Sequence, residues 1–242
     1  MERNKCKEIG MIYITGDTHR NFTRIAKFCH DFKTTKKDIL VILGDAGINY
    51  YGKIDDDILK GFLSALPITL FCIHGNHENR PSNIKTYKVK KWNGGKVYVE
   101  KDYPNLIFAK DGEIYNFNGT RILVIGGAYS VDKRQRITFG YNWWEDEQPS
   151  EEIKEYVEKN LEKNDWDVDI VLSHTVPLKY EPIEVFLPGI DQSKVDKSTE
   201  IWMDNIEEKL SYKKWYAGHY HTEKIKDKLR LMFNDIEELK LE

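Results

Sequence analysis

Cysteine, long apolar runs and excess charge of either sign are scarce in this 242-residue chain, and each scarcity removes a class of answer. The three cysteines, Cys6, Cys29 and Cys72, are scattered and include no Cys-x-x-Cys, which excludes a disulfide framework and leads us to expect reduced thiols in a cytoplasmic protein. The longest aliphatic block, Ile39 to Leu43, falls far short of the roughly 20 residues that span a bilayer, so no membrane association is expected. Met1-Glu2-Arg3-Asn4-Lys5 leads into no apolar segment of the signal-peptide kind. A formal charge of -3 withholds the basic excess that marks a nucleic-acid binder. The seven prolines form no linker, and repeats and low-complexity tracts are missing, so we expect a single domain over residues 1–242.

What is present is regular. Met11–Thr15, Ile39–Leu43, Ile68–Ile73 and Asp169–Ser173 are short apolar runs of the kind that form strands buried on both faces. Between the first three lie two helical patterns. Phe22, Ile25, Phe28, Cys29 and Phe32 share one face, and Ile54, Ile58, Phe62 and Leu66 share another, behind the acidic Asp55–Asp57. Asn93-Gly94 and Asn118-Gly119 are hairpin turns, the second joining Glu113–Phe117 to Thr120–Ile125. Helices are expected over Glu151–Lys163, and over Thr199–Leu210 with Ser198 as cap. A last hairpin is expected in Glu223–Phe233, turning at Asp227-Lys228. Strands alternating with helices predict an α/β fold with mainly parallel sheets, and the antiparallel additions suggest two sheets packed face to face.

The polar residues where these strands end carry the chemistry. They are Gly16-Asp17-Thr18-His19, Gly44-Asp45, Gly75-Asn76-His77-Glu78, Ser173-His174 and Gly218-His219-Tyr220-His221. On extended backbone, residues two apart share a face, so Asp17 with His19 and His219 with His221 are expected to aim at one point as pairs. Ligands of α/β sheets gather beyond the carboxyl ends of strands, where all five segments stop. Imidazole, carboxylate and amide-oxygen donors without thiolate suit Mn, Fe, Zn, Co or Ni rather than Ca. Seven such side chains are too many for one tetrahedral zinc and about right for two metals sharing a carboxylate. Two divalent cations against two aspartates leave a positive site, which calls for a small anionic, phosphoryl-containing substrate as partner.

In their order and content these five motifs, spread over positions 16 to 221, resemble those of the calcineurin-like metallophosphoesterases, in particular the small bacterial members. The resemblance implies a four-layer αββα sandwich of two mixed sheets and a binuclear hydrolase, with Mn favoured. It implies that Asp17, His19 and His221 hold one metal and that Asn76, His174 and His219 hold the other. Asp45 would bridge the two, and His77 would protonate the leaving group. A non-catalytic scaffold on the same fold is the alternative, as is a nuclease-like diesterase. The protein serine/threonine phosphatase branch of the family carries Asp and Arg three and four residues after the bridging Asp. Here Ile48 and Asn49 stand there, so an orienting acid and a phosphate-gripping Arg are missing from that loop.

Gly126-Gly127-Ala128-Tyr129-Ser130 followed by Asp132 resembles a segment of those small bacterial members, and it leads to Arg134 and Arg136, either of which is a candidate grip on substrate phosphate. A solvated basic loop is the competing reading. Tyr141, Trp143 and Trp144 are expected to be core packing rather than a lid. Lys85–Lys101, with six Lys and one Glu, is expected to be the wet face of a hairpin with inward aromatics. Its charge is also the best support for a diester substrate on a strand. His30 is expected at the surface. His74 is a candidate for a role behind the ligands, and Cys72 is expected to be a small hydrophobe. Glu78 is expected to serve as a helix-terminus charge or a salt-bridge partner rather than to orient His77.

Overall fold

A computed structural model describes residues 9–240; the expectations for Cys6 and for Met1–Lys5 lie outside the described residues. Its strands fall into two mixed sheets. The first has seven strands in the order β13-β1-β2-β3-β6-β5-β4, where β1 is Ile12–Thr15, β2 Ile39–Ile42, β3 Thr69–Cys72, β4 Lys88–Trp92, β5 Gly95–Val99, β6 Leu106–Ala109 and β13 Ile236–Glu238. The second has six, in the order β11-β12-β10-β9-β8-β7, where β7 is Ile114–Phe117, β8 Thr120–Ile125, β9 Ile170–Ser173, β10 Lys214–Ala217, β11 Lys224–Lys226 and β12 Leu229–Leu231. β1, β2, β3 and β6 run parallel, as do β8, β9, β10 and β12, so in each sheet these strands end at one edge.

Strand periodicity divides the core into three layers of contact. Ile39 and Val41 of β2 face inward with Ile122 and Val124 of β8 and Ile170 and Leu172 of β9, filling the space between the sheets. The alternate residues, Leu40 and Ile42, meet α1 (Thr23–Phe32) and α2 (Lys53–Ala65) through Ile25, Cys29 and Leu63. On the far side Leu123, Val171 and Trp215 meet α4 (Glu151–Glu162) and α5 (Ser198–Glu207) through Val157, Leu161, Met203 and Ile206. The short α3, Lys133–Phe139, follows β8. The architecture is therefore the four-layer αββα sandwich of the metallo-dependent phosphatase fold.

Both Asn-Gly pairs turn hairpins with positive φ at each residue, Asn93 at 46° and Gly94 at 89°, Asn118 at 52° and Gly119 at 98°. The hairpin at Asp227 is also as expected, and Ser150 caps α4, its side chain accepting from the Ile153 amide. Several expectations are corrected. Ile54, Ile58 and Phe62 of α2 are exposed, because the helix turns a different face inward. That face carries Leu63 with two buried charges, Asp56 paired to Arg20 at 2.6 Å and Lys60 paired to Glu100 at 2.6 Å. Phe32 is exposed too, its ring stacked on Phe28. Ser198 is the first helical residue rather than the cap, and Asp196 accepts its amide.

Tyr141 lies exposed and Trp143 and Trp144 half-buried at the surface, not in the core. The indole N–H of Trp143 needs an acceptor and finds Glu147, while Lys133 sits 4.1 Å over its ring. The Lys85–Lys101 stretch is the edge hairpin β4–β5. Its six lysines are exposed on a sheet edge that their charge protects, while Tyr87, Trp92 and Tyr98 pack inward.

Candidate metal centre

The ends of β1, β2, β3, β9 and β10 meet along the seam between the two sheets, and the loops leaving them are tied to one another. The amides of Thr18 and His19 donate to the carbonyl of Asp45 at 3.3 and 2.8 Å. The His219 amide donates to Asp17 Oδ1 at 2.9 Å, and the His77 amide to Asp45 Oδ1 at 2.7 Å. His174 Nδ1 lies 2.7 Å from the Leu43 carbonyl, which places its proton on Nδ1 and leaves Nε2 free as a donor atom for a metal. Two glycines make these approaches sterically feasible. A Cβ at Gly44, where φ is 96°, would meet His174 Nδ1 at 2.0 Å, and one at Gly75 would meet Asp45 Oδ1 at 2.0 Å.

The paired residues converge, but not by strand alternation. His19, Asp45, His219 and His221 have φ of 43°, 48°, 67° and 49°, left-handed backbone that each side chain tolerates at a cost of about 1 kcal/mol or more. Turns, not extended segments, aim the side chains.

Asp17 Oδ2 lies 3.2 Å from His221 Nε2 and 3.7 Å from His19 Nε2, and the two imidazole nitrogens face each other at 2.8 Å. Asn76 Oδ1 lies 2.8 Å from His174 Nε2 and 3.1 Å from His219 Nδ1. Asp45 stands between the two groups, 3.6 Å from His174 Nε2 and 4.0 Å from His19 Nδ1. Among the described residues, three overlapping sets could hold a metal ion: Asp17, His19 and His221; His19, Asp45 and His77; and Asp17, Asp45 and His174. Asp17 Oδ2 is buried and meets no donor but the ring nitrogens of His221 and His19, which is the arrangement a cation would satisfy. Burial works to raise the pKa of Asp17, but the His221 hydrogen bond and the charges of His174 and His19 outweigh it and hold the carboxyl below its usual range. Asp45 is likewise lowered despite its burial, by His174 and His77. Burial beside His174 pushes His219 down to about 3, which keeps its ring neutral as a ligand must be. His221 is raised by its bond to Asp17.

His77 sits at the border of this cluster. Arg136 Nη2 donates to His77 Nδ1 at 2.5 Å, and His77 Nε2 lies 4.0 Å from Asp132. Arg136 is buried, pairs with Asp132 at 3.2 Å, and keeps Nη1 without a partner. Arg134, two residues earlier, is exposed and is not brought to the site. An acid and a guanidinium, absent at Ile48 and Asn49, thus lie beside His77 from another segment, at Asp132 and Arg136. Burial lowers the pKa of His77, Asp45 opposes that, and Arg136 adds to the lowering.

Sequence reasoning assigned no role to Ser130 or Asp132, although both lie in a segment it singled out. Asn76 Nδ2 donates to Ser130 Oγ at 2.9 Å, which turns the amide oxygen toward the two histidines. Arg24, also missed, donates to the carbonyls of Asp17 and Phe233, both at 2.9 Å, beneath the first loop. Nothing in its helical context marked it. Glu78 is neither a helix-terminus charge nor a salt-bridge partner. It is fully buried under the Gly75 amide, and burial together with Asp45 pushes its pKa up to about 8. His74 is buried with neither ring nitrogen bonded, His30 is exposed, and Cys72 is buried as a hydrophobe.

Comparison with known proteins bears on the fold and the family. No curated protein matches the chain. The crystal structure of TT1561 of Thermus thermophilus is 12% identical and superposes with a TM-score of 0.51 over 97% of this chain and 100% of that one, which shows a shared fold. A protein of unknown function from Aquifex aeolicus, AQ665, is 17% identical, with a TM-score of 0.35 over 71% of this chain and 81% of its own. The family profile for calcineurin-like phosphoesterases matches residues 10–223, from just before β1 to just beyond His221, and so takes in all five strand-end motifs. With the αββα sandwich and the aspartate–histidine cluster at its seam, that match places the chain in the calcineurin-like phosphoesterase family.

Proposed function

We propose that the chain hydrolyses phosphate esters of small metabolites or nucleotides at a binuclear metal centre. The observation that carries this reading is the convergence of seven donor side chains from five loops, with both carboxylates held below their normal range. Asp17, His19 and His221 would hold one cation and Asn76, His174 and His219 the other, with Asp45 between them. Divalent transition ions, Mn favoured, supply Lewis acidity and a water of near-neutral pKa when bound.

The remaining work falls to the chain's own residues. Arg136 puts a positive charge directly behind His77, and its buried Nη1 has no partner, which makes it the candidate grip for a phosphoryl oxygen that displaces the groups covering it. Because Arg136 donates to Nδ1, the neutral His77 ring carries its proton on Nε2, from which it would donate a hydrogen bond to the departing oxygen, while the proton that the oxygen finally takes would come from solvent. Asp132 Oδ1, 4.0 Å from that same nitrogen, puts a negative charge near the proton without bonding it. Buried, unpaired Cys29 and Cys72 support a reducing compartment, the cytoplasm. Among the described residues no helix is long and apolar enough to cross a membrane.

The test is hydrolysis of an aryl phosphate monoester and the matching diester by the Mn²⁺-loaded chain. Asp45→Asn and His77→Ala are each expected to lower turnover about 10²–10⁴-fold while the fold is retained. Wild-type rates from either variant contradict the mechanism. If neither ester is cleaved faster by the wild type than by Asp45→Asn, the scaffold reading replaces the enzyme.

A further inference from the structure

The donor cluster forms only one end of a larger cleft of about 460 Å³. From Asp45, Asn76, His77, His219 and His221 the cleft runs under the loop that connects β9 to α5, and its character changes along the way. Its far half is walled by Val131, Val185, Phe186, Leu187, Ile190 and Val195. Phe186 stacks on Tyr220, the residue between two of the donor histidines, with ring centroids 6.2 Å apart and planes at 18°. The apolar wall is therefore continuous with the metal end.

Charge in the far half is of one sign. Among the described residues no lysine or arginine lines the cleft, whereas Glu181 and Glu200 both do. Lys197 neutralises Glu181 at 2.6 Å from outside the cleft. Glu200 is buried, accepts a hydrogen bond from Thr175 at 2.7 Å, and has its other oxygen unpartnered. Burial pushes its pKa up to about 7. A second phosphate or carboxylate on the departing group would meet apolar walls and a buried acid, and the nearby Lys197 ammonium, 5.0 Å over the Phe186 ring, is already engaged by Glu181. Val131, Val185 and Leu187 are also exposed at the cleft's surface, where hydrophobic side chains beside a polar centre mark a binding surface.

Resting on the phosphoesterase reading, we propose that this cleft selects esters whose departing alcohol is apolar and uncharged, with its carbon skeleton packed between Val131 and the Val185–Ile190 loop. The substrate class is a phosphate ester of a hydrophobic alcohol, not a polyphosphate or a sugar bisphosphate.

Binding of linear alkylphosphonates, which are not hydrolysed, tests this separately from turnover. Titration calorimetry on the Mn²⁺-loaded chain with the ethyl, butyl, hexyl and octyl members is expected to show affinity rising about threefold per methylene until the cleft is full. 6-Phosphonohexanoate, which ends in a carboxylate, is expected to bind at least tenfold more weakly than hexylphosphonate. Leu187→Asp and Ile190→Ser are expected to flatten the chain-length series. A flat series in the wild-type chain, or equal binding of the carboxylate-ended member, overturns the proposal while leaving phosphoesterase activity to stand on the aryl ester assay. An intact series together with no ester hydrolysis keeps the cleft's preference and removes the catalytic reading. If no phosphonate binds, the proposal falls, and the aryl ester assay alone decides the phosphoesterase reading.

Discussion

Arg136 and Arg134 are two residues apart on one short helix, and the surroundings of their guanidinium groups decide which can act. Arg136 is buried between Asp132 and His77 with its Nη1 unpartnered, while Arg134 is solvated. Arg136→Ala is expected to lower kcat/KM for a phosphate ester about 10–100-fold, the range set by losing one charge-assisted hydrogen bond. Arg136→Lys is expected to recover little of it, because a point charge cannot contact His77, Asp132 and a phosphoryl oxygen together. Arg134→Ala is expected to stay within about twofold of wild type, a small effect because the side chain is fully solvated. Steady-state kinetics on the three variants checks the assignment, and equal losses at both positions would contradict it.

A second residue-scale consequence follows from Glu200, whose folded pKa is raised from 4.5 to about 7 by burial. Between those two values the folded chain keeps a proton that the unfolded chain has released. Stability therefore falls as pH rises from about 4.5 to about 7 and levels off above it, a loss on the order of 2–3 kcal/mol. Glu200→Gln retains an acceptor for Thr175 and cannot ionise. Its stability is expected to equal that of the wild type near pH 4.5 and to exceed it by most of that amount at pH 8. Denaturant midpoints of the metal-free proteins across this range are the measurement, and parallel curves would mean that Glu200 ionises normally.

At the scale of elements, α2 shows where apolar periodicity misleads. Ile54, Ile58 and Phe62 make a continuous stripe in sequence, yet the buried side is set by Leu63 and by the Asp56–Arg20 and Lys60–Glu100 pairs. Charged residues that find partners inside look like a wet face when only the sequence is read. Phe62→Gln is accordingly expected to change stability by no more than about 0.5 kcal/mol, whereas Leu63→Ala should cost about 2–5 kcal/mol. Reversal of that order in denaturant unfolding would restore the sequence-based face.

The same reasoning explains what was legible. Runs such as Ile39–Leu43 are buried on both faces, so their composition alone reveals β2, and Asn118-Gly119 needs only local φ values to mark its hairpin. The candidate donors could be picked out because chemistry restricts the types that could serve, and the structure brings them together. Their aim could not, since His19, His219 and His221 depend on left-handed turns held by contacts more than 20 residues away. Asp132 and Arg136 reach His77 through about 60 residues of intervening chain, and local pattern does not encode that contact. β13 escaped notice because Ile236-Glu237-Glu238 is a polar edge strand whose pairing with β1 supplies the order.

For the whole molecule, the position of the donor cluster couples metal binding to the sandwich itself. Asp17, Asp45 and Asn76 come from the seven-stranded sheet and His174, His219 and His221 from the six-stranded one. Direct links between the two, such as His174 to Leu43 and His219 to Asp17, already cross the seam. A cation shared by these residues would bind the folded state and have no comparable site in the unfolded chain, so it would stabilise by mass action. At a free concentration one hundred times Kd the gain is about 2.7 kcal/mol per independent site. In a chain of 242 residues that corresponds to a rise in Tm of roughly 5–10 °C. Asp45→Asn removes the carboxylate that faces both halves and is expected to lose most of the rise, while Arg134→Ala keeps it. Thermal unfolding across a Mn²⁺ titration reads the effect without any substrate. A rise of equal size in Asp45→Asn would place the ion somewhere other than the seam, and the link between the sheets would then be made by the protein's own hydrogen bonds alone.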